Sequence, residues 1–354
     1  MLQADDIITL AKGDYRLRAP LASSAYGVVW RAAAPHGEPD VALKLINREQ
    51  MARAPAALQA RWVDSASREI AFLDTLAPWD ERHIVRLLDR GAHDGLPVMA
   101  LELMEGDLAH FVSARAPAAW QVLTWIGQIN QALAKVHQSG WLYLDLKPAN
   151  VLLTGNGAVK LADFGTNRLR SALPAQTYAG TASWQAPEQF FPNPQQHYDT
   201  DARSDYFALG AMFYYLVTGG VALRFCRDCG QAYREHNSGA ASVLLTRHDG
   251  IPSTLHDDEA ALFMQRFSGA DADTDTAVDA TWCPAGASTS GAPANAALLL
   301  VRTLLAADRK QRPQHALHIS RMISRVRMRM EAPDAASPKS AGARMTRQFA
   351  GSRA

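Results

Sequence analysis

Apolar positions along the first hundred residues recur in short alternating runs separated by turn residues: Tyr15 to Leu21, Val28 to Ala33, Val41 to Ile46, Val85 to Leu88 and Val98 to Leu103. Runs of this length and period predict strands. One stretch breaks the rhythm. Leu58, Trp62, Ala66, Ile70 and Leu73 fall at helical spacing, so a helix is predicted over Leu58 to Leu76, ending before Pro78, which cannot continue it. From Leu108 onward the period is helical, with a long amphipathic stretch over Trp120 to Gln138, short strands at Val151 to Leu153 and Val159 to Leu161, and helices at Ser204 to Thr218, Asp257 to Phe267, Ala294 to Ala307 and Gln314 to Met330. A small β-rich unit (15–104) thus precedes a larger helical one (105–332), an α+β, bilobal arrangement. Residues 1–14 read as an N-terminal extension, 219–295 as an insertion whose Gly, Ala, Ser, Thr and Asp content over Ser268 to Asn295 predicts a flexible loop, and 333–354 as a disordered basic tail.

Composition narrows the class. The chain has 354 residues, 48% hydrophobic and 20% charged, enough for one large or two smaller cores. A formal net charge of +1 gives no global reason to expect nucleic acid or an acidic membrane as partner. No run reaches the roughly 18 apolar residues of a membrane span, and Asp5 and Asp6 occupy the start where a secretory signal needs a basic stretch. Three cysteines are too few for a disulfide framework, so a reducing, cytoplasmic location is expected.

The chemistry is concentrated in a few short strings. Val41-Ala42-Leu43-Lys44 is a strand ending in an ammonium suited to the α and β phosphates of a nucleotide, and Glu69 on the following helix can hold it in line. Tyr143-Leu144-Asp145-Leu146-Lys147-Pro148-Ala149-Asn150 packs a carboxylate, a cation and an amide into eight residues. Asp145 can take the proton of an attacking hydroxyl and Lys147 can neutralise a γ-phosphate. Asn150 and Asp163, in Asp163-Phe164-Gly165, offer the hard oxygen atoms that Mg²⁺ prefers.

In order and spacing these strings resemble the eukaryotic-type protein kinase family over about Tyr15 to Met330. The resemblance implies ATP and Mg²⁺ as cofactors and a nucleotide cleft between the lobes. Leu101 stands where the family has its gatekeeper, Glu102 to Met104 where it has the adenine-binding hinge, and Val29, Ala42 and Leu152 where apolar side chains sandwich the base. Gly180-Thr181-Ala182-Ser183-Trp184-Gln185-Ala186-Pro187-Glu188 resembles the substrate-docking loop that small-molecule phosphotransferases of the same fold lack, and Asp205 and Arg312 resemble structural anchors, the latter expected to pair with Glu188. Lys147 with Thr181 resembles the serine/threonine branch. Protein substrates are therefore expected, with an ATP-binding pseudokinase or a small-molecule kinase as the alternatives.

Three departures from the family pattern and one further feature matter. The phosphate-covering loop reads Ala22-Ser23-Ser24-Ala25-Tyr26-Gly27-Val28-Val29, so of its three usual glycines only Gly27 remains, and looser nucleotide binding is expected. Leu144 replaces the arginine that gathers an activating phosphate, which weakens any phosphate switch through Thr166, Ser171, Thr177 or Tyr178. The insertion carries Cys226 and Cys229 in a C-x-x-C turn, with Cys283 further on; with one of His236, His248 or His256 these could complete a structural zinc site, the alternative being incidental or redox-active thiols. Finally, Arg321, Arg325 and Arg329 recur along the last helix, a face that is either solvated or suited to an acidic regulatory partner.

Overall fold

The structure, a computed structural model, describes residues 2–24, 26–170, 180–269 and 291–331. Its first lobe is a six-stranded antiparallel sheet of order β1-β2-β3-β4-β6-β5. The strands are β1 (Ile7–Leu10), β2 (Gly13–Ser23), β3 (Gly27–Ala33), β4 (Val41–Ile46), β5 (Leu87–His93) and β6 (Leu96–Glu102). Strand alternation decides which side chains face which way. On β4, Val41, Leu43 and Leu45 enter a core with Ile8, Leu10, Tyr15, Leu17, Ala32, Val98 and Ala100, while Ala42 and Lys44 point to the opposite, half-buried face.

Residues 1–14, the N-terminal extension, include the first strand. β1 pairs with β2 in register Ile7↔Arg16 to Leu10↔Gly13, and Ile8 and Leu10 are buried in the sheet's core. Four residues are too short a window for an alternation to stand out, so this edge strand escapes a pattern reading.

The helix α1 (Arg48–Arg53) starts at Asn47, whose side chain accepts from the Gln50 amide, and α2 (Ala56–Leu73) follows it. The α2 face carrying Trp62, Glu69, Phe72 and Leu73 is buried against the sheet and the second lobe.

The second lobe is built on α4 (Ala119–Gln138) and α6 (Ala202–Val217). The apolar stripe of α4, from Val122 to Val136, is buried, each such Leu or Ile contributing about 1.5–3 kcal/mol. α6 is buried nearly all round, from Ser204 to Tyr214, because α4, α9 (Asp257–Phe267) and α10 (Gly291–Leu304) surround it. Packed on α4 and α10, α11 (Ala316–Glu331) completes this layer. Short elements line the seam between lobes: β7 (Gly106–Asp107), α3 (Leu108–Ala114), β8 (Trp141–Leu142), β9 (Val151–Leu153), β10 (Val159–Leu161) and β11 (Arg168–Leu169). No helix among the described residues is long and apolar enough to cross a membrane.

The insertion holds two helices that a loop reading passes over, α7 (Arg224–His236) and α8 (Ala240–His248). The predicted C-x-x-C turn is accordingly corrected: Cys226 and Cys229 lie within α7, both buried in the main core. Residues 270–290, which include Cys283, and the tail from 332 onward lie outside the described residues.

Candidate active site

Three charged side chains from three elements meet at the seam. Lys44 Nζ on β4 donates to Glu69 Oε2 on α2 at 2.7 Å and to Asp163 Oδ1 at 2.9 Å. Burial would pull the ammonium's pKa down, but Asp163 and Glu69 outweigh it and hold Lys44 above its ordinary value. Lys44 in turn holds Asp163 below the ordinary carboxylate range. Burial pushes Glu69 up against the opposing pull of Lys44, because its carboxylate is almost wholly removed from solvent.

Asp163 adopts φ +57°, turning the chain sharply after β10. The turn is tied to α2 by a bond from Ser65 Oγ to the Gly165 carbonyl at 2.6 Å. A Cβ at Gly165 would lie 2.5 Å from that hydroxyl, so any larger residue would have to displace Ser65 Oγ and break the tie. Phe164, fully buried, packs between Phe72 of α2, tilted at 4.6 Å, and Tyr143, edge-on at 5.1 Å. Ser65 was not anticipated from the sequence, although it sits one helical turn before Glu69 and so shares its face.

The loop from Tyr143 to Asn150 is fixed from beneath by Asp205 of α6. Its carboxylate accepts from the Tyr143 amide at 3.0 Å and the Leu144 amide at 2.7 Å, and lies 2.7 Å from His137 Nε2. Leu144 takes φ +64°, and its side chain is buried. Above this base, Asp145 Oδ1 accepts from the Thr181 hydroxyl at 2.7 Å and the Thr181 amide at 2.8 Å. Lys147 Nζ donates to Asp145 Oδ2 and to Thr181 Oγ1, both at 2.8 Å. Burial raises the Asp145 pKa, and Lys147 and Thr181 oppose the rise. Asn150 donates its Nδ2 to the Asp145 carbonyl at 2.9 Å and to Oδ2 at 3.1 Å, which leaves Oδ1 as its remaining acceptor.

Thr181 reaches Asp145 because Gly180, at φ +96°, lets the chain pass the Leu144 carbonyl, 2.3 Å from where a Cβ would sit. The segment continues into α5 (Pro187–Phe190), anchored by Glu188. Arg312 grips Glu188 with Nη1 to Oε1 at 2.7 Å and Nη2 to Oε2 at 2.9 Å, as the sequence led us to expect, and Ser204 Oγ adds a bond at 2.6 Å. Residues 182–184 rest on α7, where a Cβ at Gly230 would lie 2.9 Å from the Ser183 Cβ. Ser171, Thr177 and Tyr178 lie outside the described residues.

Of the expected base-binding residues, Leu101 is buried, and Val29, Ala42, Met104 and Leu152 are half-buried. Val29 pairs with Lys44 across β3 and β4, and Ala42 pairs with Leu101 across β4 and β6, so these side chains stand at the lysine's end of the sheet. Glu102 Oε1 accepts from Lys160 Nζ at 2.5 Å and from the Arg86 amide at 2.8 Å, which fixes the side chain beside β10. In the loop joining β2 to β3, Ala22 pairs with Val29, and Ser24 and Gly27 close a tight turn.

Zinc finds no support at the cysteines. Burial pushes the Cys226 thiol up to about 12 and Cys229 higher still, while zinc binds the thiolate. Among the described residues no group of three or more His, Cys, Asp or Glu side chains could hold a metal ion.

Comparison with known proteins agrees with this geometry. Residues 15–322 match the family described as protein kinase domain. The chain is 27% identical over 217 residues to the probable serine/threonine-protein kinase pknA2 of Bifidobacterium longum, covering 60% of this chain and 27% of that protein. It is 32% identical over 213 residues to mouse cyclin-dependent kinase 4, covering 58% and 67%. It is 28% identical over 245 residues to the serine/threonine-protein kinase PknL of Mycobacterium tuberculosis, covering 67% and 57%. The chain spans only part of the relatives it matches, from about a fifth to two thirds of their length. With the match extending over most of its residues, this chain belongs to the protein kinase domain family.

Proposed function

We propose that the chain is a protein serine/threonine kinase that moves the γ-phosphoryl group of ATP to a protein hydroxyl. The observation that carries this reading is the triangle of Asp145, Lys147 and Thr181 beside the Lys44–Glu69–Asp163 cluster. Phosphoryl transfer asks a protein for positioning and for positive charge around the phosphates, and this arrangement offers both.

The donor set fits ATP with Mg²⁺. Asp163 Oδ2 and Asn150 Oδ1 are hard oxygen atoms not used by the hydrogen bonds that fix their partners, and Asp163 is kept ionised by Lys44. Asp163 and Asn150 would hold magnesium, which would supply positive charge to the phosphates. Lys44, held by Glu69, binds the α and β phosphates. Asp145 accepts the proton of the attacking hydroxyl as its oxygen bonds to the γ-phosphorus. The bond from that phosphorus to the β–γ bridging oxygen breaks, and ADP leaves with the electron pair. Lys147 neutralises the oxygens in transit, and the Thr181 hydroxyl holds Asp145 and Lys147 together.

The Glu188–Arg312 pair and the segment it anchors favour a polypeptide acceptor over a small molecule, because they build a ledge beside Asp145. The two buried, unpaired thiols suit a reducing, cytoplasmic setting. Arg321 and Arg325, both exposed on α11, suit an acidic regulatory partner. The test incubates the protein and its Asp163→Ala variant with labelled ATP, Mg²⁺ and a generic protein substrate. Label on protein from the wild type alone is expected. ATP binding without transfer to any protein would refute the reading.

A further inference from the structure

The loop joining β2 to β3 has lost two of its three family glycines, and one replacement does more than narrow the backbone's freedom. Ser24 Oγ accepts from the Tyr26 amide at 3.2 Å and from the Gly27 amide at 3.1 Å. The Ser24 amide donates to the Gly27 carbonyl at 2.8 Å, which closes the turn around the hydroxyl. A serine hydroxyl that accepts from the amides two and three residues on closes a local turn and occupies both donors. Here the oxygen that takes up these loop amides belongs to the protein.

The surroundings hold the loop in this form. Asn47 Nδ2 donates to the Ser24 carbonyl at 2.8 Å, and the Asn47 amide donates to the Tyr26 carbonyl at 3.1 Å. The Tyr26 ring meets Trp62 of α2 edge-on at 5.1 Å. The turn is therefore fastened to the start of α1 and to α2, and the amides of Tyr26 and Gly27 are satisfied without a ligand.

We propose that Ser24 is a positioning residue whose hydroxyl stands in for a phosphate oxygen, so that a nucleotide binds this loop by displacing it. The inference rests on the nucleotide reading of the cleft. A glycine or alanine at 24 leaves the same two amides open to phosphate. With Ser24 present, the oxygen of the β or γ phosphate exchanges one acceptor for another and gains little from the contact. The loop thereby weakens binding of the polyphosphate and leaves the contribution of the base unchanged.

The experiment measures the affinities of ATP, ADP and adenosine by calorimetry for the wild-type protein, Ser24→Ala and Ser24→Thr, with thermal melts to establish that all three are folded. Alanine is used rather than glycine because it removes the hydroxyl without adding backbone freedom. Ser24→Ala is expected to tighten ATP and ADP by about threefold to tenfold, the range for exposed hydrogen bonds, and to leave adenosine unchanged. Ser24→Thr, which keeps the hydroxyl, is expected to bind as the wild type does. Weaker or unchanged ATP and ADP binding in Ser24→Ala would overturn the inference, as would an equal gain for adenosine. If neither ATP nor adenosine binds the wild type, the nucleotide reading itself fails and this inference with it.

Discussion

Replacing Thr181 by valine tests the centre of the mechanism, because the substitution keeps the shape and removes one oxygen. Asp145 Oδ1 loses the hydroxyl at 2.7 Å but keeps the Thr181 amide at 2.8 Å, and Lys147 keeps Asp145 while losing its second partner. A hydrogen bond to a charged group contributes about 1.5–3 kcal/mol. The surviving amide places this loss at the lower end, about 1.5 kcal/mol or roughly tenfold in rate.

The sign with pH follows from the base. As the proposed base Asp145 works only when ionised, and burial already raises its pKa against the pull of Lys147 and Thr181. Taking the hydroxyl away raises it further, so Thr181→Val should lose activity at a higher pH than the wild type as the solution is acidified. Near-neutral and alkaline rates should suffer less, and Thr181→Ser should restore the acid limb. The assay is kcat/KM against pH at saturating Mg²⁺ with a peptide substrate. An acid limb that stays in place while the rate falls equally at every pH would refute the claim that Thr181 tunes Asp145.

Two further predictions concern parts away from the chemistry. Arg312 is buried, and its fork also reaches the Ala306, Ala307 and Arg203 carbonyls; Arg312→Met should therefore cost about 3–5 kcal/mol in urea unfolding, much of it from stranding Glu188. The Glu188→Leu/Arg312→Met double variant should recover part of that loss, and equal or greater destabilisation of the double variant would contradict the account. In a Cys283→Ala background, Cys226 and Cys229 should resist an aromatic disulfide reagent until denaturant is added, since both are buried and their thiols titrate far above neutrality. Rapid labelling of the native protein, or about an equivalent of tightly held zinc in it, would mean that α7 is not packed as described.

What was legible in the sequence depended on whether the cause of each feature was local. β4 and α9 were readable to the residue, because alternation in Val41–Ile46 and acidic first-turn residues in Asp257–Phe267 announce themselves within their own windows. α7 was not. Its buried face sets Phe225 among the small residues Cys226, Cys229, Gly230 and Ala232, of which Gly230 closely approaches Ser183, and small residues between polar ones read as loop. Lys44, Glu69, Asp145, Lys147, Asn150 and Asp163 were all named from the sequence, and the structure brings them together as two connected clusters. Their links were harder to foresee: Ser65 to Gly165 and Ser24 to the Tyr26 and Gly27 amides join residues through backbone atoms, which leave no signature in side-chain type.

Leu144 shows why a missing side chain need not mean a missing function. An arginine at this position can gather phosphate, and leucine cannot, so the ordering of the site has to come from elsewhere. At Leu144 the fold uses the backbone: the amide is held by Asp205, and the carbonyl accepts from Gln189 Nε2 at 3.1 Å and closes on Gly180. On the other side of the cleft Ser65 ties α2 to the turn carrying Asp163, and the Lys44–Glu69 pair completes the connection to the sheet. Each of these contacts is made by groups that the polypeptide itself carries and that are present without modification. The proposed catalytic arrangement is thus assembled by hydrogen bonds internal to the fold, which is the physical reason that a chain lacking the phosphate-gathering arginine still holds Lys44, Glu69, Asp145, Lys147, Asn150 and Asp163 in place.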